Sequence, residues 1–334
     1  MRSYHVTIVH RLRNAVALPA GTARKGIMKN ITECQARLRG LFNITVTPFK
    51  ADGAFDHEGL ARNIERVIGL GFDGILIGGT YGEFPAMSVD ERADLFRRVM
   101  DIVGDRVPVM LCSADSDVRV VRELTTLAGE LGGLPMVTPP FVSEVTDAQI
   151  VAFFRDVVRL SRTGVLVYNA PGIGITLSPP TLEQLAAIPG VVGVKQGDLS
   201  PTAIDQIANR IGGRIRLFCA SDLAFLGPMM CGFDGISSTN SCALPELILA
   251  AYRALEAGDA AAARDLHRLW YPLRALAREF GQPQTTKAAM NLRGFDGGSV
   301  RQPLRNLEPA DIKDVAKVLR ELAADRRSSV ALAA

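Results

Sequence analysis

Cysteine and histidine are scarce in this chain of 334 residues. The five cysteines, at positions 34, 112, 219, 231 and 242, form no Cys-x-x-Cys pair, which excludes a disulfide scaffold and favours a reducing, cytoplasmic setting. We expect the last four to be small apolar side chains of the core. No histidine closes a predicted strand, so we expect neither a metal centre nor a Ser–His or Cys–His nucleophile. The four histidines are His5, His10, His57 and His267.

Long hydrophobic runs and a strong charge of one sign are also missing. No apolar run reaches the roughly 18 residues that a membrane span needs, so no membrane association is expected. The net charge is +3, from 38 basic and 35 acidic residues, and residues 1–29 contribute six basic residues and no acid. The remainder is therefore mildly acidic (32 − 35 = −3), which disfavours a nucleic-acid partner.

The first 39 residues differ from the rest of the chain. A secretory signal is excluded because His10-Arg11-Leu12-Arg13 interrupts the apolar stretch, whereas an organellar transit peptide stays open. The interpretation we favour is that Met28 is the true start and that residues 1–27 are an upstream extension without function. Residues 1–39 are then a basic extension, either a non-native start or disordered, and the fold is expected to begin only after residue 40.

From there, short apolar runs alternate with longer amphipathic stretches. The runs are continuous rather than alternating, as parallel strands covered on both faces are. Helix starts are marked by the capping box Ser88 to Glu91, by Thr146 and by Ser200-Pro201. The predicted strands are 41–47, 74–78, 107–112, 134–138, 165–168, 191–195, 215–219 and 235–238.

Eight such alternations without a linker predict an α/β fold, a (β/α)8 TIM barrel over 40–258. The competing doubly wound sheet would bring a G-x-G-x-x-G turn after the first strand, and the segment 45–49 is nothing like one. Further helices predicted at 260–279, 286–293 and 309–324 form a C-terminal helical appendage, 259–334, packed on the barrel.

The active site of such a barrel lies at the carboxyl ends of its strands, and there Lys195 is the sharpest feature. Lysine is rarely buried without a reason, and a desolvated amine attacks carbonyl groups to form a Schiff base. Two alternatives remain open: the side chain extends out of the barrel into solvent, or it pairs with a carboxylate such as Asp222.

Two further strand ends add candidates. Tyr168 closes the neighbouring strand, where a phenol relays protons, although a lone tyrosine at a strand end is commonly only amphipathic. The Gly79-Thr80-Tyr81-Gly82 turn supplies a hydroxyl and amide groups suited to a small carboxylate, or else needs its glycines for conformation alone.

Together these segments resemble the dihydrodipicolinate synthase / N-acetylneuraminate lyase superfamily of class I, pyruvate-type aldolases. The resemblance covers about residues 40–308, and its motifs come in the family's order. They are Thr45-Val-Thr-Pro-Phe49 with Asp52-Gly53, Gly79-Thr-Tyr-Gly-Glu83, Ser88-Val-Asp-Glu-Arg92, Tyr168-Asn-Ala-Pro171, Val192-Gly-Val-Lys195, Ser221-Asp222, Gly235-Ile-Ser237 with Asn240, Lys287-Ala-Ala and Arg301-Gln-Pro-Leu304.

The resemblance implies a role for each candidate. Lys195 would form the Schiff base with pyruvate or another 2-oxo acid, and Tyr168 would shuttle the proton. Thr80 and Tyr81 would hold the substrate carboxylate, and the backbone of Ile236 would line the pocket. The same resemblance implies that no cofactor is needed and that the chain forms a homo-oligomer, a tetramer or a dimer.

Departures from the family pattern bear on the substrate. Phe141 stands where dihydrodipicolinate synthases carry a relay tyrosine, and Ile173 where they carry the arginine that binds the aldehyde's carboxylate. Tyr81 replaces the usual Thr or Ser, and Gln196 the usual Glu. The prediction is a Schiff-base lyase acting on pyruvate or a 2-oxo (deoxy sugar) acid by aldol cleavage, condensation or dehydration. The alternatives are 4-hydroxy-tetrahydrodipicolinate synthase and a catalytically silent barrel that only binds a 2-oxo acid.

Overall fold

A computed structural model of the protein describes residues 28–332. The predicted extension over 1–27 lies outside the described residues. The fold begins earlier than residue 40, because helix α1 (Ile31–Arg37) precedes the first strand, with Asn30 as its N-cap. Met28, Cys34 and Leu38 are buried, and α1 contacts the sixth strand. This helix was not predicted because only Cys34 is buried within its seven residues, so its apolar pattern is too short to stand out.

Eight parallel strands form a closed barrel in sequence order, and the eighth pairs with the first. The predicted TIM barrel is therefore confirmed. Almost every strand residue is buried, because helices cover the outside and side chains fill the inside. The strands are β1 Gly40–Ile44, β2 Gly74–Ile77, β3 Val109–Cys112, β4 Leu134–Val137, β5 Val165–Asn169, β6 Val191–Gln196, β7 Arg216–Cys219 and β8 Gly235–Ser238.

Helices connect the strands, and the caps that the sequence predicts are present. Ser88 and Thr146 each form a capping box, and Pro201 lies in the first turn of its helix. These helices are α2 His57–Gly69, α3 Val89–Val103, α4 Val118–Leu131, α5 Asp147–Val157, α6 Pro179–Ala186, α7 Pro201–Ile211, α8 Leu226–Met230 and α9 Pro245–Glu256.

Four more helices follow the barrel: α10 Ala260–Leu269, α11 Tyr271–Phe280, α12 Gln284–Leu292 and α13 Pro309–Ala324. The sequence predicted one helix over 260–279, but the structure divides it at Trp270. Pro272 is the cause, because it has no N–H to continue the first helix and it fits the first turn of the next. The buried Trp270 anchors the junction in the core.

A buried ion pair ties the appendage to the barrel. Lys287, on α12, donates to the Glu83 carboxylate and, at 2.7 Å each, to the carbonyls of Thr47 and Ser299. The Arg301 amide donates to the other Glu83 oxygen at 2.9 Å. Glu83 has a left-handed backbone, with φ of 60°, which few non-glycine residues adopt. Desolvation lowers the pKa of Lys287, and the Glu83 carboxylate opposes that shift.

Substitution of Lys287 by Met should therefore destabilise the protein by about 3–5 kcal/mol, because it leaves the Glu83 charge buried without its partner. The Lys287→Met, Glu83→Gln double variant should be more stable than the single variant, since the uncompensated charge is gone. Urea denaturation midpoints of the three proteins check this. A double variant no more stable than Lys287→Met would contradict the coupling.

Candidate active site

Tyr168 and Lys195 are direct neighbours across β5 and β6. The Lys195 Nζ lies 3.9 Å from the centroid of the Tyr168 ring, and the lysine is only 3% exposed. Within residues 28–332 no carboxylate lies within 4.0 Å of this nitrogen, so the side chain neither reaches solvent nor pairs with Asp222. Lys195 therefore has a buried amine that contacts the Tyr168 ring and has no carboxylate partner among these residues.

A register shift sets this pairing. Between Val165 and Leu166 the register of the two strands slips by one residue, so that Val192 is an extra residue on β6. A slip of one residue moves every following side chain to the other face, which here brings the lysine and the tyrosine to the same face. On the other side of β6, Gly193 lets β6 lie close to β7, because a Cβ at Gly193 would lie 2.6 Å from the Arg216 carbonyl oxygen.

The turn after β2 reaches Tyr168 from the other side. It is a single 3₁₀ turn, Thr80–Gly82, and the Thr80 hydroxyl lies 3.4 Å from the Tyr168 hydroxyl. Tyr81 is half-buried; burial raises the pKa of its phenol, and the Arg274 guanidinium opposes the shift. The structure therefore brings three predicted residues, Thr80, Tyr168 and Lys195, into one chain of neighbours.

A cavity of about 540 Å³ opens in front of Tyr168. Its size is that of a small-molecule site. Lys195 and Ile236 are not among its lining residues, but the Lys195 Nζ contacts the ring of Tyr168, which is. At β8 the cavity is lined by Ser237. The walls include Thr80, Tyr81, Tyr168, Ile173, Ser237, Arg274 and Arg278.

One wall is built on Asp222, a buried carboxylate that follows β7. It accepts hydrogen bonds from the Ser238 hydroxyl at 2.5 Å, from the Asn240 side chain at 2.8 Å and from the Asn240 amide at 3.1 Å. These three donors satisfy the charge without a cation. Asp222 therefore joins the loops after β7 and β8 into one rigid wall.

His267 supports the same wall from behind. Its ring lies between Phe225 and Trp270, with centroid distances of 5.4 and 4.7 Å. Desolvation lowers the pKa of His267, and its hydrogen bond to the Leu223 backbone only partly opposes this. The neutral ring is thus part of the packing beneath the cavity.

Two departures from the family pattern have a structural account. Gln196 points away from the cavity and accepts a hydrogen bond from the Asn169 side chain at 2.9 Å, which joins β5 to β6 on the outside of the barrel. Phe141 lies close to the loop after β5, where a Cβ on Gly174 would be 3.4 Å from the Cβ of Phe141. The adjacent Ile173 gives the cavity an apolar wall.

Two core thiols lie near Lys195, and neither is a nucleophile. Burial raises the pKa of Cys112 and raises that of Cys219 to about 12, so both stay protonated. The core assignment was wrong for Cys231, which is exposed because it ends the short α8 at a surface turn. No cluster of three or more metal-ligating side chains occurs within residues 28–332.

The sequence missed the arginines of this site. Arg274 and Arg278 lie one turn apart on α11, a spacing that is visible in the sequence but also typical of a solvated helix face. Only the packing of the appendage shows that this face borders the cavity. Across the described part of the chain, no helix is long and apolar enough to cross a membrane.

His267 makes stability depend on pH. Because its folded pKa lies below the ordinary value near 6.5, the unfolded chain takes up a proton first as the pH falls. Stability should decrease from pH 7.5 to pH 5.5, and His267→Gln should reduce that decrease. Burial also lowers the pKa of His57, so His57→Gln should likewise reduce the decrease. Melting temperatures across this range check the slope; a slope unchanged in His267→Gln would contradict the assignment.

Comparisons with known proteins agree with this architecture. The profile of the Dihydrodipicolinate synthetase family matches residues 37–322. The chain is 33% identical over 291 residues to 4-hydroxy-tetrahydrodipicolinate synthase 1 of Streptomyces coelicolor, covering 86% of this chain and 94% of that one. It is 31% identical to the 4-hydroxy-tetrahydrodipicolinate synthase of Sorangium cellulosum, covering 88% and 99%.

Solved structures show the same likeness. A dihydrodipicolinate synthetase-like protein of Pseudomonas aeruginosa has a TM-score of 0.81 and 27% identity, covering 85% of this chain and 99% of that one. YagE of E. coli K12, a family protein solved in complex with pyruvate, has a TM-score of 0.81 and 25% identity, covering 86% and 99%. The chain is therefore a member of the dihydrodipicolinate synthase family, a family of lyases of the class I aldolase type.

Proposed function

We propose that Lys195 forms a Schiff base with the ketone of pyruvate or another 2-oxo acid. The observation that carries this proposal is the buried Lys195 amine, without a carboxylate partner, against Tyr168 at the floor of a cavity. The pyruvate complex of YagE, a relative with the same fold, supports pyruvate as a ligand of this class of site.

The chemistry follows from that adduct. The Lys195 amine adds to C2 of the 2-oxo acid, and loss of water leaves a protonated imine. The imine withdraws electrons, so a C3 proton departs and an enamine forms. The enamine carbon then adds to an aldehyde carbon, and the aldehyde oxygen takes up a proton to become a hydroxyl. Water hydrolyses the imine and frees the lysine, and the reverse sequence cleaves the carbon–carbon bond. In dehydration the enamine instead expels the hydroxyl on C4, which takes up a proton and leaves as water.

Tyr168 and Thr80 are placed to move the protons. The Tyr168 ring contacts Lys195, and its hydroxyl lies 3.4 Å from that of Thr80. A phenol in this position donates to the leaving oxygen and takes the proton back when the imine hydrolyses. The first turn at Thr80 and Tyr81 offers amide groups to the substrate carboxylate, as helix starts do. At β8 Ser237 lines the cavity, and the backbone of the preceding Ile236 is proposed to line the pocket beside it.

Three candidate functions differ in the second substrate or in whether a reaction follows binding. Ile173 and Phe141 occupy the positions of the arginine and tyrosine that serve aspartate semialdehyde in the synthases, which favours cleavage, condensation or dehydration of a 2-oxo sugar acid. The named relatives favour the second candidate, 4-hydroxy-tetrahydrodipicolinate synthase. A silent binding barrel is the third, and the buried nucleophile speaks against it, since binding alone does not need an amine.

Two further assignments belong to this proposal. We infer a homo-oligomer, a dimer or tetramer, from the resemblance to the family. The free, buried thiols of Cys34, Cys112, Cys219 and Cys242 support a reducing, cytoplasmic location.

Exchange of the C3 protons of pyruvate with deuterium, followed by NMR, tests the proposal without an aldehyde. The wild type should exchange them, Lys195→Ala should lose the exchange, and Tyr168→Phe should slow it by about 10²- to 10⁴-fold because the proton relay is gone. Lys313→Ala, an exposed lysine on α13, is the matched control and should exchange like the wild type.

The same proteins are then given pyruvate with aspartate semialdehyde, and separately a 3-deoxy-2-oxo sugar acid. Cleavage or dehydration of the sugar acid with little turnover of the semialdehyde is the expected result. Rapid turnover of the semialdehyde would establish the second candidate instead. Binding of pyruvate by the wild type without any exchange would show a silent barrel and contradict the proposal.

A further inference from the structure

We propose that Arg274 and Arg278 form an anion subsite for the end of the substrate remote from the 2-oxo acid. The inference rests on the proposed function and adds the substrate class: a chain that carries a second oxyanion group, a carboxylate or a phosphate. The residues come from α11 of the appendage, outside the barrel that supplies Lys195 and Tyr168.

Arg274 and Arg278 border the same cavity as the residues beside Lys195. Residues four apart on a helix share one face, and both arginines line the cavity that Tyr168 and Thr80 also line. A cavity of about 540 Å³ is far larger than a three-carbon 2-oxo acid needs, so it has room for a longer substrate. One molecule can therefore contact the strand ends with its reacting carbons and α11 with its tail.

Neither arginine has a carboxylate partner among the described residues. In the part of the chain that the structure describes, no carboxylate lies within 4.0 Å of either guanidinium group. Asp222, the carboxylate in the cavity wall, is already satisfied by Ser238 and Asn240. The cavity thus presents two cationic groups and no anion free to neutralise them, so an anionic ligand is favoured there.

The chemistry of the side chains gives the ligand class. Guanidinium groups bind carboxylates and phosphates through paired hydrogen bonds, and two of them on one face suit a group with several oxygens. In the loop after β5 the cavity wall at Ile173 is apolar. The charged end of the substrate is therefore bound by the arginines of the appendage and not by the loop after β5.

The subsite leaves the reaction unchanged. The enamine carbon at C3 bonds to the aldehyde carbon, the aldehyde oxygen gains a proton, and hydrolysis releases a 4-hydroxy-2-oxo acid with its tail still charged. The arginines take no part in bond making; they hold the tail so that the aldehyde carbon faces C3.

Matched aldehydes test the subsite. Condensation with pyruvate is measured for succinic semialdehyde against butanal, and for glyceraldehyde 3-phosphate against glyceraldehyde. At least one charged aldehyde should be preferred over its neutral match. Arg274→Gln and Arg278→Gln should each lower kcat/KM for the charged aldehyde by about 10- to 100-fold and leave the neutral one unchanged. Arg320→Gln, on the exposed side of α13, should change neither.

Other readouts separate the possible failures. Deuterium exchange at C3 of pyruvate reports the Schiff base without any aldehyde, so its absence would overturn the proposed function and this inference with it. Normal exchange together with equal turnover of charged and neutral aldehydes, or with equal losses for both in the arginine variants, would overturn the subsite alone. Added KCl should raise KM for the charged aldehyde only, a result that needs no variant. The charged aldehyde with the higher kcat/KM then shows whether the subsite binds a carboxylate or a phosphate.

Discussion

The one-residue register shift between β5 and β6 is the constraint on which the site depends. In a barrel strand, alternate side chains face inside and outside, so an unshifted β6 would turn Lys195 toward the covering helices. The extra residue at Val192 places the amine beside Tyr168 instead. On the other side of β6, Gly193 lets the strand lie close to β7, where a Cβ would meet the Arg216 carbonyl oxygen. A local irregularity of the backbone thereby determines where the Lys195 amine lies.

A second constraint fixes the turn after β2, which carries Thr80. The turn that carries Thr80 ends at Glu83. The Glu83 carboxylate accepts hydrogen bonds from the Lys287 side chain and from the Arg301 amide, both in the appendage. Several of the family motifs therefore meet at one ionic contact rather than at the reacting atoms. The appendage acts on the site in two ways, since it fixes this turn through α12 and contributes arginines to the cavity through α11.

Much of this was open to prediction from the sequence. Continuous apolar runs predicted a parallel barrel, and the rule that barrel sites lie at the carboxyl ends of strands singled out Tyr168 and Lys195. Other features depend on distances that no local pattern contains. The break at Trp270, the support of His267 for the Leu223 loop and the approach of Arg274 to the cavity all follow from how the appendage packs. The cavity is lined at β8 by Ser237, the residue after Ile236, and the role of the Ile236 backbone stays a prediction.

The proposed chemistry depends on covalent binding of the 2-oxo acid by Lys195. Reduction with borohydride in the presence of pyruvate, and in parallel of a longer 2-oxo acid, converts such an imine into a stable amine that peptide mass mapping locates. The account predicts one adduct, on the peptide that contains Lys195, with at least one of the two acids. No adduct with either acid, or an adduct on another lysine such as Lys287, would contradict it.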